Sequence, residues 1–253
     1  MASKRRKQDA LGSLGALQFD RNILDTISKD IKLEGFVKDH LMKVYAVLLS
    51  TLLFASLGSV AHVYFQFGGL LTYIGSILGM VAVYVTSPEK KVYRIGLLSA
   101  TGFLTGCSIG PLVHTAIKID PSIIVTALLG TATIFTCFTM TALVANRRLR
   151  LYLGGVLSSA FSIVMLLSVM RYFFTSYSII ETLYLYLGLF MFCGYVIVDT
   201  QVIIEKVTNR ESSDYVWHAM ELFTDFIAIF VRIVAILVEN ADSKKKSKKK
   251  RSE

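Results

Sequence analysis

The sequence predicts an all-α, polytopic membrane protein built as a bundle of seven transmembrane helices. Of its 253 residues, 54% are apolar and only 18% are charged, whereas charged residues make up about a quarter of an ordinary soluble domain. The mean hydropathy is +0.58. The apolar residues form long runs without the alternation of a half-buried strand, and this length leaves room for six or seven spans.

Seven apolar segments follow a polar start. Most reach the about 20 residues that a helix needs to cross a bilayer, and lipid offers the backbone no hydrogen-bond partners, so helices are expected. They cover residues 44–63, 69–86, 95–117, 122–144, 151–172, 179–202 and 216–238. The predicted organisation is a basic N-terminal segment at 1–40, a membrane domain at 41–240 and a Lys-rich C-terminal tail at 241–253.

Small residues recur at a spacing of four in two of these segments. The third contains Gly102, Gly106 and Gly110. In the fifth, the Gly154–Gly155 pair precedes Ser158 and Ser159 by one helical turn on the same face. Small residues at this spacing let neighbouring helices approach closely, so both segments are predicted to pack tightly.

Basic residues concentrate in alternate loops and predict the orientation. Cytosolic loops are enriched in Lys and Arg, so the N-terminus and the even-numbered loops are expected to be cytosolic. The second, fourth and sixth loops carry Lys90, Lys91 and Arg94; Arg147, Arg148 and Arg150; and Lys206 and Arg210. The sequence does not fix the side of the membrane on which the tail lies. A seventh helix that spans the membrane would place the tail on the side opposite the cytosol, and a re-entrant helix would return it to the cytosol.

The tail forms a basic block on a chain of net charge +9. On a membrane protein, such a block indicates binding to anionic lipid or to a protein partner rather than to nucleic acid. Its basic residues are Lys244, Lys245, Lys246, Lys248, Lys249, Lys250 and Arg251. Cys107, Cys137 and Cys193 each lie in an apolar run, which favours free thiols over a disulfide framework or a metal site.

Two acidic residues within the last two segments carry the candidate chemistry. An ionised side chain inside a membrane costs several kcal/mol unless it is paired, hydrated or neutralised, so Asp199 and Asp225 are predicted to be functional. Antiparallel helices joined by a short loop would place them at similar depth, where they would share one proton and act as a pH-sensitive latch. Once deprotonated, their oxygens suit Ca²⁺, held transiently; no resident metal or cofactor is predicted. The structural alternatives are a hydrated acid at a helix end for Asp199 and an ion pair with an arginine for Asp225.

Three further residues of the seventh segment are supporting candidates. Glu221 lies one turn before Asp225 on the same helix face. His218 is either an interfacial residue at the helix start or a titrating group. Arg232 either neutralises a carboxylate of a neighbouring helix or extends its charge towards the membrane surface.

The motifs resemble the Bax inhibitor one family, the transmembrane Bax-inhibitor-motif proteins. The similarity lies in Gly194-Tyr195-Val196-Ile197-Val198-Asp199-Thr200-Gln201, in Asp225 within a Leu-Phe-x-Asp-Phe-Ile context, and in Phe103-Leu104-Thr105-Gly106 with Gly110-Pro111. The similarity extends over nearly the whole chain past residue 35. The sequence resembles in particular the eukaryotic endoplasmic-reticulum branch of the family.

This resemblance implies a bundle with the last helix near the centre, in the endoplasmic-reticulum membrane. It implies a pH-sensitive calcium leak that lowers stored calcium and suppresses apoptosis and stress-induced cell death, with Asp199 and Asp225 as the paired aspartates. In bacterial relatives, an arginine at the end of the second helix can pair with an aspartate and hold it in place, which we call the lock. The basic residues near the corresponding position in this chain are Lys90, Lys91 and Arg94. The implied partners are membrane lipids, calcium ions, Bcl-type death regulators, stress-response kinases and a second copy of the chain.

Other functional classes fit less well. Intramembrane aspartyl proteases also use two membrane aspartates, but their Tyr-Asp and Gly-x-Gly-Asp motifs are missing, so no enzyme is expected. The short loops argue against a seven-helix receptor. An adaptor that binds death regulators or proteins of the unfolded-protein response, without transport, stays open.

Overall fold

A computed structural model describes residues 35–145, 147–173, 178–211 and 214–252. Within these ranges the chain forms seven helices, and the predicted all-α fold is confirmed. Most of the predicted N-terminal segment, residues 1–34, lies outside them. The helices are α1 (Gly35–Phe65), α2 (Leu70–Val85), α3 (Lys91–Ile119), α4 (Ser122–Val144), α5 (Arg147–Phe173), α6 (Ser178–Thr208) and α7 (Tyr215–Ser252).

Five of these helices, α1, α3, α4, α5 and α6, are long and apolar enough to cross a membrane. Helix α2 is apolar but has only 16 residues. Helix α7 has 38 residues, but its apolar part carries Glu221, Asp225 and Arg232. The chain is therefore a multi-pass membrane protein whose most polar helix is the last one.

Helix α7 lies near the centre of the bundle, as the resemblance implied. It packs against α2, α3, α4 and α6. Leu222, Phe223 and Ile229 are fully buried along it, and Phe230 and Val234 join a core cluster with α3 and α4. Its backbone stays helical through the Lys-rich residues to Ser252.

Helices α1 and α3 cross at backbone contact, which confirms the close packing predicted for the third segment. A Cβ added at Gly106 would overlap the carbonyl oxygen of Ala55, and one at Gly58 would overlap the carbonyl oxygen of Phe103. The thiol of Cys107 donates a hydrogen bond to the carbonyl oxygen of Gly58 over 3.3 Å.

The same prediction was wrong for the fifth segment. A Cβ added at Gly154 or Gly155 would meet nothing within 4 Å. Helix α5 packs on α6 through a different face, on which Leu157 and Val164 contact Met191. The small residues therefore lie on the outside of the bundle, because helix rotation, and not residue size, selects the contact face.

A buried ion pair joins the ends of three helices. Arg94, in the first turn of α3, is only 2% exposed. It donates to Asp214 Oδ2 over 2.6 Å and to the carbonyl oxygen of Val83 at the end of α2 over 3.2 Å. The other carboxylate oxygen of Asp214 accepts from the backbone N–H of Trp217 and caps α7. One arginine thus connects α2, α3 and the start of α7.

The glycine crossing predicts a difference between two Gly→Ala substitutions. Gly106→Ala should lower the free energy of unfolding by about 1–3 kcal/mol, because the added methyl group forces α1 and α3 apart. Gly154→Ala places the same methyl group in open space and should be neutral or slightly stabilising. Thermal unfolding in detergent, followed by the folded fraction on size exclusion, compares the two variants. An equal loss of stability in both would contradict the crossing.

The ion pair predicts strong non-additivity. Arg94→Met removes the guanidinium that pairs with the Asp214 carboxylate. Asp214→Asn leaves the buried guanidinium of Arg94 without a carboxylate. Each should cost about 3–5 kcal/mol. The double variant should lose clearly less than the sum of the two, because no charge is stranded. The thermal midpoints of the four proteins measure this coupling, and additive losses would show that the two residues do not depend on one another.

Candidate functional site

The structure brings Asp199 and Asp225 together between α6 and α7. Their carboxyl groups lie within hydrogen-bonding reach of each other. Asp225 is only 4% exposed and Asp199 is half-buried. The short connection between α6 and α7 makes the two helices antiparallel neighbours, and this sets both residues at a similar depth.

The contact between the two carboxyls is incomplete as it stands. Oδ2 of Asp225 is buried and has no hydrogen-bond donor among the described residues. An ionised carboxylate can only accept hydrogen bonds, so two of them cannot satisfy each other. A proton or a cation between them would supply what the contact lacks, because like charges at this distance repel strongly in a low dielectric.

Three hydroxyl groups from three helices meet inside the bundle. The hydroxyl of Tyr45 on α1 lies next to those of Thr139 on α4 and Thr200 on α6. All three oxygens are buried, and none of them makes a well-directed hydrogen bond within the part of the chain that the structure describes. A bridging water molecule would satisfy them.

Glu221 and Lys206 complete the charged surroundings. Glu221 accepts a hydrogen bond from the indole N–H of Trp217 over 2.7 Å and is close enough to both aspartates to interact electrostatically. Lys206 faces Asp199 and Glu221 from the end of α6. The site therefore combines three acids with one base.

His218 is fully buried and faces α1. Its Nδ1 lies 2.9 Å from Nε2 of His40, so one ring donates and the other accepts. Its Nε2 has no partner among the described residues. The cap of α7 is Asp214, so His218 does not act at an open helix end.

Arg232 packs on α6 over aromatic rings. Its guanidinium lies 4.5 Å from the ring centroid of Phe192 and 5.5 Å from that of Tyr184. Nη1 donates to the carbonyl oxygen of Ala228 over 3.1 Å, and Gly188 leaves the room, because a Cβ there would overlap the guanidinium Nε. Within the described ranges it makes no ion pair with a carboxylate, so cation–π contacts hold this charge.

The three bases expected as a lock lie away from the aspartate pair. Arg94 is bound to Asp214, and the ammonium group of Lys91 lies 5.8 Å from the ring centroid of Tyr215. Lys90 is exposed just before α3. The structure does not describe the side chains of residues 244–251, which include the basic residues of the tail.

The described residues contain no cluster of three His, Cys, Asp or Glu side chains that could hold a metal ion. The two carboxyls are nevertheless suitable ligands for a hard cation that keeps most of its water.

Sequence reasoning missed several members of the site. Lys206 follows Asp199 by seven residues, two helical turns on one face, so its signal was present in the sequence. Tyr195 lies one turn before Asp199 and interacts electrostatically with both aspartates, so its signal was present too.

Comparisons with known proteins identify the family. A family profile described as inhibitor of apoptosis-promoting Bax1 matches residues 37–242. "Probable Bax inhibitor 1" of Paralichthys olivaceus is 45% identical over 238 residues, which cover 91% of this chain and 99% of that protein. "Bax inhibitor 1" of Homo sapiens is 42% identical over 236 residues, with the same coverage. "Bax inhibitor 1" of Arabidopsis thaliana is 42% identical over 220 residues, 87% of this chain and 89% of that protein. The resemblance seen in the motifs is thereby confirmed, and this chain belongs to the family of inhibitors of apoptosis-promoting Bax1.

Proposed function

We propose that this protein forms a pH-sensitive calcium leak in the endoplasmic-reticulum membrane, which lowers stored calcium and suppresses apoptosis and stress-induced cell death. One observation carries the proposal: Asp199 and Asp225 meet inside the bundle, and a buried oxygen of Asp225 lacks a donor among the described residues. Two acids on adjacent membrane helices form a contact that must change when a proton leaves.

The closed arrangement holds one proton between the two carboxyls. The resulting carboxyl–carboxylate hydrogen bond gives Oδ2 of Asp225 its missing donor and ties α6 to α7. In this proposal the calcium path runs between the central helix and its neighbour α6, so the bond closes it.

Loss of that proton leaves two like charges in a low dielectric, which push the helices apart unless a cation compensates. Ca²⁺ takes six to eight oxygen ligands. The two carboxylates supply some of these, and water supplies the rest. Because the protein supplies only part of the calcium coordination shell, it binds the ion weakly enough to release it across the membrane. The two arrangements need differ by only a few kcal/mol for pH to shift their populations.

The cellular part of the proposal rests on the relatives. Proteins named Bax inhibitor 1 cover nearly the whole chain, which supports suppression of cell death here. The Lys-rich end is similar to a loose retrieval signal for the endoplasmic reticulum, and the distribution of basic residues supports a cytosolic N-terminus.

The alternative is an adaptor without transport. It would bind and restrain Bcl-type death regulators or stress-response kinases, and the basic residues 244–251 would be its contact surface. The alternative needs no titrating pair inside the membrane, so the aspartates separate the two functions.

Asp199→Asn and Asp225→Asn keep side-chain shape but remove titration. In liposomes that contain only the purified protein, calcium flux of the unaltered chain should depend on pH. Each variant should lose most of that dependence, because the shared proton no longer exists. Calcium-dye fluorescence across a pH series measures the flux.

Asp242→Asn serves as the control, because Asp242 is an exposed acid on the same helix. Its flux-versus-pH curve should match that of the unaltered chain. Unchanged curves in both dyad variants, with the protein correctly inserted, would favour the adaptor.

A further inference from the structure

A second polar site lies at the end of the bundle where α1, α3 and α7 begin and α6 ends. A cavity of about 480 Å³ opens there. Its walls come from four separate stretches of the chain, and three of them contribute a cation: Lys43 from α1, Lys91 from α3 and Arg210 from the turn after α6. Residues far apart in sequence thus place positive charge around one space.

Among the described residues, these cations have no acidic partners. Lys43, Lys91 and Arg210 are exposed, and none of them forms an ion pair with any residue that the structure describes. Asp39 is the one acid in the cavity lining, so the cavity retains a positive charge of about two at neutral pH. An uncompensated group of cations around a concave space attracts an anion.

Arg210 occupies a backbone position that normally selects glycine. Its φ is 56°, and the bonds Arg210 N to Val207 O and Glu211 N to Lys206 O form a Schellman cap at the end of α6. A side chain in this left-handed conformation is strained. The chain nevertheless has an arginine there, and its side chain lines the cavity.

The other lining residues indicate a ligand at a membrane surface. Phe36 is an exposed aromatic residue, and Tyr215 is half-buried and lies beneath Lys91. Helix α3 begins at Lys91, which lines the cavity, and no side chain caps this end, so its backbone N–H groups add positive character here. Basic cavities between membrane helices, flanked by aromatic side chains, suit the headgroups of anionic lipids.

We propose that this cavity binds the phosphate-bearing headgroup of an anionic lipid, held by Lys43, Lys91 and Arg210. The phosphate oxygens accept hydrogen bonds from the ammonium and guanidinium groups, and the acyl chains extend along the apolar outside of α1. The inference does not depend on calcium passage. His40 also lines the cavity and contacts His218, so a bound headgroup adjoins the central helix.

The test uses the purified full chain in detergent and a short-chain phosphatidylinositol monophosphate as probe. Arg210→Gly is the sharpest variant, because glycine suits the cap and removes only the cation. Arg210→Gly and Lys43→Gln should each weaken binding about tenfold, the loss expected for one charge-assisted hydrogen bond. Lys118→Gln removes an exposed cation from the other end of α3 and should leave binding unchanged within about twofold.

Soluble inositol phosphate and phosphatidylcholine of the same chain length complete the experiment. The anionic lipid should raise the thermal midpoint of the unaltered chain and not that of Arg210→Gly, because a ligand stabilises only a protein that binds it. Soluble inositol phosphate that binds as tightly as the lipid would overturn the assignment to a lipid. Equal binding by the unaltered chain, Arg210→Gly and Lys43→Gln, or an equal loss in Lys118→Gln, would overturn the site.

Discussion

A carboxylate buried among apolar helices must find a proton, a cation or a set of donors, and Asp225 imposes this requirement on the bundle. Its burial costs several kcal/mol if it is left uncompensated. Asp199 of α6 lies within hydrogen-bonding reach of it, and Glu221, one turn earlier on α7, interacts with it electrostatically. A helix with such a residue in its middle cannot face lipid. The central position of α7 and the approach of α6 both follow from this constraint.

The polar groups of α7 form a single stripe. Asp214, His218, Glu221 and Asp225 are spaced four, three and four residues apart, so they share one face over about 16 Å of helix. Each contacts a different part of the bundle: Arg94 of α3, His40 of α1, the indole of Trp217, and Asp199 of α6. Low dielectric strengthens every satisfied contact and penalises every missing one. Among the described residues, the buried atoms of this stripe that lack a partner are Nε2 of His218 and Oδ2 of Asp225.

The lock expected from bacterial relatives takes another form in this chain. Arg94, in the first turn of α3, contacts the end of α2 through the carbonyl oxygen of Val83, but its charge pairs with Asp214 at the start of α7. Lys206 is the base that faces Asp199. Glycine contacts between α1 and α3 provide a rigid frame beside these charges, since helices at backbone contact cannot slide without collision. The proposed proton-dependent change therefore falls on the contact between α6 and α7, which among the described residues lacks such a crossing at the aspartates.

The amino-acid sequence by itself determined the seven helices, the two membrane aspartates and the glycine spacing of α3, because hydropathy, charge and residue size are properties that each segment carries locally. Only the tertiary structure decided which groups meet. It left Gly154 in open space, paired Arg94 with Asp214, set Arg232 over Phe192, and joined His40 to His218. These outcomes depend on the rotation of each helix about its axis and on the crossing angles of the bundle. Both are set by the sum of all side-chain contacts, so no single segment encodes them.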